Sequence, residues 1–233
     1  MDLASLAARF SAIESRIRAA CERAGRSRSA VRLVGASKFQ PLTALAATYD
    51  LGLRCFGENR VQEGAAKATE LPGDIEWHLL GPLQSNKVRK AVSIFRVVHA
   101  VDRLAIALEL DSEAARQERP LAGFVEVNLG AEESKHGFAA EGLIAALAPL
   151  ASLSHLEIRG LMAIPPPGAT AEDSRPHFRR LAALRDELAT RPEWRARLFA
   201  GELSMGMSDD FEIAIEEGAT HVRIGSALFG DRA

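Results

Sequence analysis

Only two cysteines occur in the 233 residues, Cys21 and Cys55, and they form no C-x-x-C pair. A disulfide framework is therefore not expected, and with no secretory pattern in view the thiols fit a reducing cytoplasm. A targeting leader is not legible either, because Asp2, Arg9, Glu14, Arg16 and Arg18 interrupt the first turns. Apolar runs long enough to span a bilayer are missing. Neither sign of charge dominates: the formal net charge is −2 and the pI about 6.3, so no footprint for nucleic acid or an anionic membrane is expected. The basic group Lys87, Arg89 and Lys90 is local and reads as a solvated helix face. The histidines, at 78, 99, 136, 155, 177 and 221, include no pair at helical-turn spacing and none beside a cysteine pair, which leaves a metal centre unsupported. Tyrosine occurs once, at Tyr49.

What is present is a regular alternation. Leu3, Leu6, Phe10, Ile13 and Ile17 recur at helical spacing behind Asp2 as a cap, giving an amphipathic helix that ends near Gly25. Apolar runs then recur at Leu33–Lys38, Leu53–Phe56, Ile75–Leu80, Ile94–His99, Gly123–Asn128, Leu156–Leu161, Glu202–Gly206 and His221–Ile224, each bounded by turn residues and followed by a helical pattern. Helix starts are expected at Pro41, near Arg60, at Gln84, at Asp102 as a cap, and at Ser208 with Asp209 and Asp210 in its first turn; Gly218 ends the last of these. Another helix runs through Leu143, Leu147 and Leu150, a long one spans about Ala171 to Thr190, and the chain closes with a helical turn from Ala227.

Eight strand–helix units predict a single α/β domain over residues 1–233, a (β/α)8 TIM barrel with an additional N-terminal helix. The competing open, doubly wound sheet would show a G-x-G-x-x-G turn after the first strand, where this chain has Ser37-Lys38-Phe39-Gln40-Pro41. The polar loop 131–138 is long enough to be functional, and the proline-rich segment Met162–Gly168 is stiff rather than a linker.

In a barrel, functional groups gather where strands end at the carboxyl side, and the first and eighth strands are neighbours. Lys38 is then expected beside Arg223, Gly225 and Ser226, with Ser204 and Gly206 one strand further round. A partly desolvated lysine amine attacks carbonyls, while glycine amides, a helix start and hydroxyls suit phosphate. A ligand with an aldehyde or ketone and a phosphate fits both halves, and pyridoxal 5′-phosphate (PLP) is a compact molecule of that description.

The chain resembles the YggS/PROSC family of pyridoxal-phosphate homeostasis proteins, which share the barrel of alanine racemase. The matching segments are LVGASKFQP (33–41), FGENRVQE (56–63), WHLLGPLQSNK (77–87), VHAVDR (98–103), VEVNLGAEESKHGF (125–138), RGLMAIPP (159–166) and LSMGMSDDFEIAIEEGATHVRIGSALFG (203–230). The resemblance implies that Lys38 is the Schiff-base lysine and that Ser204, Gly225 and Ser226 bind phosphate; Gly206 is expected beside them from its strand-end position alone. It also implies that Arg223 faces the pyridine nitrogen and that Asn59 and His78 lie in motifs close to the cofactor. His78 reads equally as a bonded residue of the barrel wall, and Asn59 as a helix cap. Gly35, Phe39 and Ser226 depart from the commoner family pattern; serine in place of threonine keeps the hydroxyl.

The leading expectation is a cytoplasmic carrier that holds PLP as an imine on Lys38, with PLP-dependent apoenzymes as possible recipients and a monomeric state. The alternatives are a PLP-dependent amino-acid racemase and a Schiff-base aldolase acting on a sugar phosphate. Racemisation ordinarily needs a second acid/base facing the lysine. In alanine racemases a tyrosine of a further C-terminal domain supplies it, whereas this sequence runs to Ala233 directly after the eighth strand and carries Tyr49 at the far end of a helix. His78 and His136 are the residues left to substitute for it.

Overall fold

The computed structural model describes residues 3–129, 136–166, 168–192 and 201–230, without the side chains of Ala140, Glu141 and Leu147. Its frame is a closed barrel in which the strands follow one another in chain order, from β1 (Arg32–Ala36), β2 (Cys55–Glu58) and β3 (Glu76–Leu79) through β4 (Val97–Val101) and β5 (Leu121–Glu126) to β6 (Leu156–Met162), β7 (Glu202–Ser204) and β8 (His221–Ile224). β1 closes on β8 in parallel, with Arg32 opposite His221 and Gly35 opposite Ile224. The helices around it are α1 (Leu3–Arg23), α2 (Leu42–Asp50), α3 (Val61–Glu70), α4 (Val88–Ile94), α5 (Leu104–Arg116), α6 (Ala140–Ala151), α7 (Arg175–Ala189), α8 (Phe211–Glu216) and α9 (Ser226–Phe229). The expected barrel with an extra N-terminal helix is what forms.

Strand alternation sorts side chains into two layers. Trp77 and Leu79 point outward and join Phe56, Val98, Val125, Leu161, Leu203 and Val222 in the large apolar layer between barrel and helices. Inside the barrel the apolar group is small: Val97, Ala100, Ala122, Phe124 and Met162. The rest of the interior is polar, with His78, His99, Ser204, His221 and Arg223 all buried. α1 buries Leu6, Ile13, Ile17, Ala20 and Cys21 against α2, α8 and α9, and Gly25 ends it at a φ of 64° that favours glycine.

Element existence matches the sequence pattern, while several boundaries shift. β1 stops at Ala36, so Lys38 sits in the turn beyond the strand. β2 contains Gly57 and Glu58, which read as strand breakers; a Cβ on Gly57 would lie 2.5 Å from Leu80, and Glu58 enters the interior because Lys67 pairs with it. β4 begins at Val97, because Ile94 still belongs to α4 and the Phe95 ring fills the space left by the missing side chain of Gly64. Asp102 does not cap α5: the N-cap is Arg103, and the Asp102 carboxylate pairs with Arg103 and His136. Likewise Asp210, not Ser208, precedes α8, its side chain accepting from Met207 N at 2.7 Å and Ser174 Oγ at 2.8 Å. The loop expected to be functional lies outside the described residues over 130–135, as do Asp2 and Ala233.

Candidate functional site

The carboxyl ends of β1, β7 and β8 converge as expected. Gly225 follows β8 directly, and a Cβ there would stand 3.2 Å from the carbonyl oxygen of Ala36, so glycine lets the two strand ends approach closely without displacing either. Lys38, two residues past β1, is half-buried at this rim and makes no hydrogen bond or ion pair among the described residues. The turn that carries it is constrained from below. Ser37 Oγ donates to Glu58 Oε1 at 2.7 Å, and Lys67 Nζ donates to the same oxygen at 2.6 Å and to the Ser37 carbonyl at 2.7 Å. Phe39 holds a φ of 61° in the left-handed region while its N–H donates to Glu63 Oε2 at 3.2 Å. Glu58 is fully buried; burial raises its pKa, against the opposing effects of Lys67 and Ser37.

Ser226 is exposed at the start of α9, and its hydroxyl has no hydrogen-bond partner among the described residues. Beside it Ser208 Oγ accepts from Ala227 N at 3.1 Å, which brings the loop after β7 onto the same cup. The sequence signalled Ser208 only as a cap; its position at the cup depends on the β7–β8 contact. Gly206 is buried with a φ of 92°, and its carbonyl accepts from Arg223 N at 3.0 Å. Asn59 is exposed at the rim just beyond β2, its backbone packed against Gly81.

Arg223 spans the floor of the mouth, donating through Nη1 to Ser204 Oγ at 2.6 Å and through Nη2 to the Ala163 carbonyl at 3.2 Å. Burial brings its pKa down to about 10, which leaves it charged at neutral pH. Ser204 is therefore placed differently from a phosphate donor. Its hydroxyl is fully buried, accepts from Arg223 and lies 2.7 Å from His99 Nδ1. His78 is also away from the mouth, fully buried with Nδ1 2.8 Å from His99 Nε2 and Nε2 2.7 Å from Glu76 Oε1. Desolvation lowers the pKa of His78, and that of His99 and His221 further, so all three rings are neutral at pH 7.

Cys55, Glu76 and His78 bring sulfur, oxygen and nitrogen donors within 4.8 Å of one another. Arg32 already binds the Glu76 carboxylate, and burial pushes the Cys55 thiol upward and keeps its proton on, so the cluster is satisfied as hydrogen bonds. On the far side of the mouth Glu126 ends β5; burial and then the nearby Asp102 raise its pKa. Nothing in its alternating apolar surroundings marked it in advance.

A family model described as the alanine racemase N-terminal domain matches residues 9–233. The pyridoxal phosphate homeostasis protein of Aquifex aeolicus is 44% identical over 225 residues, which is 96% of this chain and 97% of that one. The solved structure of PipY from Synechococcus elongatus with PLP bound superposes with a TM-score of 0.84 at 40% identity, covering 97% of this chain and all of PipY. Alanine racemase from Bartonella henselae shares the fold alone, with a TM-score of 0.74 at 14% identity over 99% of this chain and 60% of the racemase. The chain belongs to the alanine racemase N-terminal domain family and, within it, to the pyridoxal phosphate homeostasis proteins.

Proposed function

We propose that this chain binds PLP at the barrel mouth as a monomeric, one-domain carrier serving cellular PLP homeostasis, with Lys38 as the covalent anchor. The observation that carries this reading is Lys38 itself, a half-buried amine at the rim of the Gly225–Ser226 cup that has no partner among the described residues. The donor set fits the group: a nucleophilic amine, a glycine where strand ends crowd, the exposed hydroxyl of Ser226 and the fixed guanidinium of Arg223. Bound PLP supplies an aldehyde for the amine to condense with, losing water, and a phosphate for the cup to hold. Gly225, Ser226 and the neighbouring Ser208 form that cup, Gly206 shapes the loop behind it, and Asn59 contributes to the rim. Ser204 and His78 serve from beneath, through Arg223.

The residues of the mouth favour holding over turnover. Arg223 keeps its charge at neutral pH and so disfavours a proton on a ring nitrogen facing it, which weakens the ring as an electron sink. Racemisation needs an acid/base opposite the lysine. Tyr49 donates to Asp74 at 2.7 Å, and Arg54 covers its ring, at the opposite end of the barrel. Both ring nitrogens of His78 are engaged, and His136 pairs with Asp102.

The test is an absorbance spectrum of the purified protein, followed by borohydride reduction and peptide mapping. A yellow protein with the reduced adduct on Lys38, lost in Lys38→Ala, is expected; an adduct only on another lysine overturns the assignment. Incubation with L-alanine in deuterated water checks the carrier reading, since rapid exchange at the α-carbon with D-isomer accumulating would make the protein a racemase. Transfer of PLP to an apoenzyme tests delivery, and sedimentation tests the monomer. No helix among the described residues is long and apolar enough to cross a membrane.

A further inference from the structure

Apart from His221, the polar side chains of the barrel interior form one connected chain, and its direction follows from donor chemistry together with the neutrality of its two imidazoles. A guanidinium only donates, so Arg223 Nη1 gives a hydrogen to Ser204 Oγ at 2.6 Å. The Ser204 proton then goes to His99 Nδ1 at 2.7 Å. His99 is neutral, so its one ring hydrogen is on Nε2 and points at His78 Nδ1, 2.8 Å away. By the same step His78 carries its hydrogen on Nε2, which meets Glu76 Oε1 at 2.7 Å. Glu76 is held down to about 2, first by the hydrogen bond from His78, and Arg32 sits on the same carboxylate. Cys55 Sγ, 3.2 Å from His78 Nε2, is a second and weaker acceptor for that last hydrogen, and along the rest of the chain each hydrogen meets one acceptor.

The chain crosses the barrel. Arg223 reaches the carbonyl of Ala163, just past the carboxyl end of β6, whereas Glu76 is the first residue of β3 and lines a cleft of about 960 Å³ at the amino-terminal end together with Arg96, Leu156 and Arg159. The first three links each pass to another strand, β8 to β7, to β4, to β3, and the last, from His78 to Glu76, stays on β3. The ring centroids of His78 and His99 stand 5.0 Å apart, and Phe124 packs 4.7 Å from His99 on the apolar side, which restrains the plane of the His99 imidazole.

We propose that Ser204, His99 and His78 are positioning residues, a one-way hydrogen-bond relay that holds the Arg223 guanidinium at the mouth and ties its placement to Glu76 at the opposite end of the barrel. What the relay does to a ligand rests on the reading of the mouth as the PLP site; its direction does not. Buried polar chains of this kind are costly when broken, because each member removed leaves a neighbour unpaired. Substitution at Glu76 is therefore felt at the mouth through three intervening side chains.

Nitrogen-15 NMR of histidine ring nitrogens in ligand-free protein tests the direction. His78 and His99 are both expected as the neutral Nε2–H form at pH 7, and an Nδ1–H form on either ring overturns the relay. The coupling is tested by the absorbance of PLP-loaded protein and by PLP titration. Ser204→Ala is expected to shift the absorbance band and weaken PLP binding by about tenfold, as loss of a bond to a charged group does. Ser204→Thr, which keeps the hydroxyl, restores both, and Glu76→Leu shifts the band in the same sense by less. Unchanged spectra in both Ser204→Ala and Glu76→Leu overturn the coupling, since a merely structural role for Glu76 leaves the band in place. Should the wild type take up no PLP, the functional reading falls, and the ring tautomers alone judge the relay.

Discussion

Two buried polar networks approach the mouth from opposite sides, and they are built on different principles. Under the Lys38 turn, Glu58 and Lys67 form an ion pair 2.6 Å apart in which Glu58 Oε2 has no hydrogen-bond partner among the described residues. Under Arg223, charge is confined to the two ends, and neutral imidazoles and a hydroxyl carry the connection between them. An ion pair in low dielectric costs desolvation of both partners and tolerates the loss of neither. A chain of neutral groups desolvates cheaply and specifies orientation instead. The first network braces a backbone turn, whose Ser37 carbonyl Lys67 grips; the second aims one side chain. That division suits a site in which the amine must reach a carbonyl while the guanidinium stays still.

The largest break in this comparison comes from Lys67→Met. It leaves the Glu58 carboxylate buried with Ser37 alone, and breaking a buried pair from one side costs about 3–5 kcal/mol. Guanidinium denaturation at pH 7 measures it. Because the lone Glu58 has its pKa raised further above its unfolded value, the folded variant takes up a proton first, so its deficit shrinks as pH falls. Glu58→Gln added to Lys67→Met is expected to recover part of the loss; a deficit that is pH-independent would mean Glu58 is not the charged partner.

The relay side responds to acid instead. His78, His99 and His221 have folded pKa values below the unfolded value, so the unfolded chain binds protons first. Stability from these groups is complete above about pH 6.5 and is lost as pH falls, by up to about 1.4 kcal/mol per histidine per pH unit. Denaturation midpoints between pH 7.5 and 5.5 report the slope. His221→Gln is expected to remove about a third of it, whereas an unchanged slope would show that His221 is not held neutral by burial.

Gly206→Ala stands between the two sides, since Gly206 belongs to the loop after β7 and its carbonyl receives Arg223 N. The φ of 92° is strained for alanine, and the added methyl would lie 2.5 Å from Ala214 Cβ. A loss of about 2–3 kcal/mol is expected in the same denaturation experiment, combining backbone strain and overpacking. A neutral outcome would mean the α8 contact yields easily.

The number and order of strands were legible because buried parallel strands are written as apolar runs between Gly and Pro stops. Pairings that cross the barrel were not. Ser204 and His99 are 105 residues apart, and no local spacing joins them, so Ser204 read as a phosphate residue when its hydroxyl was already committed. Glu58 misled for the converse reason: a carboxylate beside glycine looks like a loop until Lys67, one helix away, neutralises it. The pairing of β1 with β8, from which Lys38, Gly225 and Ser226 were expected at one rim, was legible because barrel closure makes the first and last strands neighbours whatever their side chains.

The smallest expected effect isolates how the Lys38 turn is held. Phe39 is 57% exposed, with a φ of 61°, so little burial is lost on truncation and the backbone cost is what separates alanine from glycine there. For a residue with a Cβ that conformation costs about 1–2 kcal/mol, while glycine adds about 0.5–1 kcal/mol of unfolded-state freedom. The Arg60 guanidinium 5.7 Å from the ring contributes about 0.5 kcal/mol that both truncations forfeit. Phe39→Gly is therefore expected within about 1 kcal/mol of wild type, and Phe39→Ala about 1 kcal/mol less stable than Phe39→Gly. The backbone N–H of residue 39 still donates to Glu63 in both, so the pair differs only in strain and chain entropy. If the two variants melt alike, the turn is free to leave the left-handed region, and the Glu58–Lys67 brace beneath it holds less than the ion pair suggests. If glycine is the more stable but captures PLP on Lys38 more weakly, the strained phenylalanine serves to preset the amine.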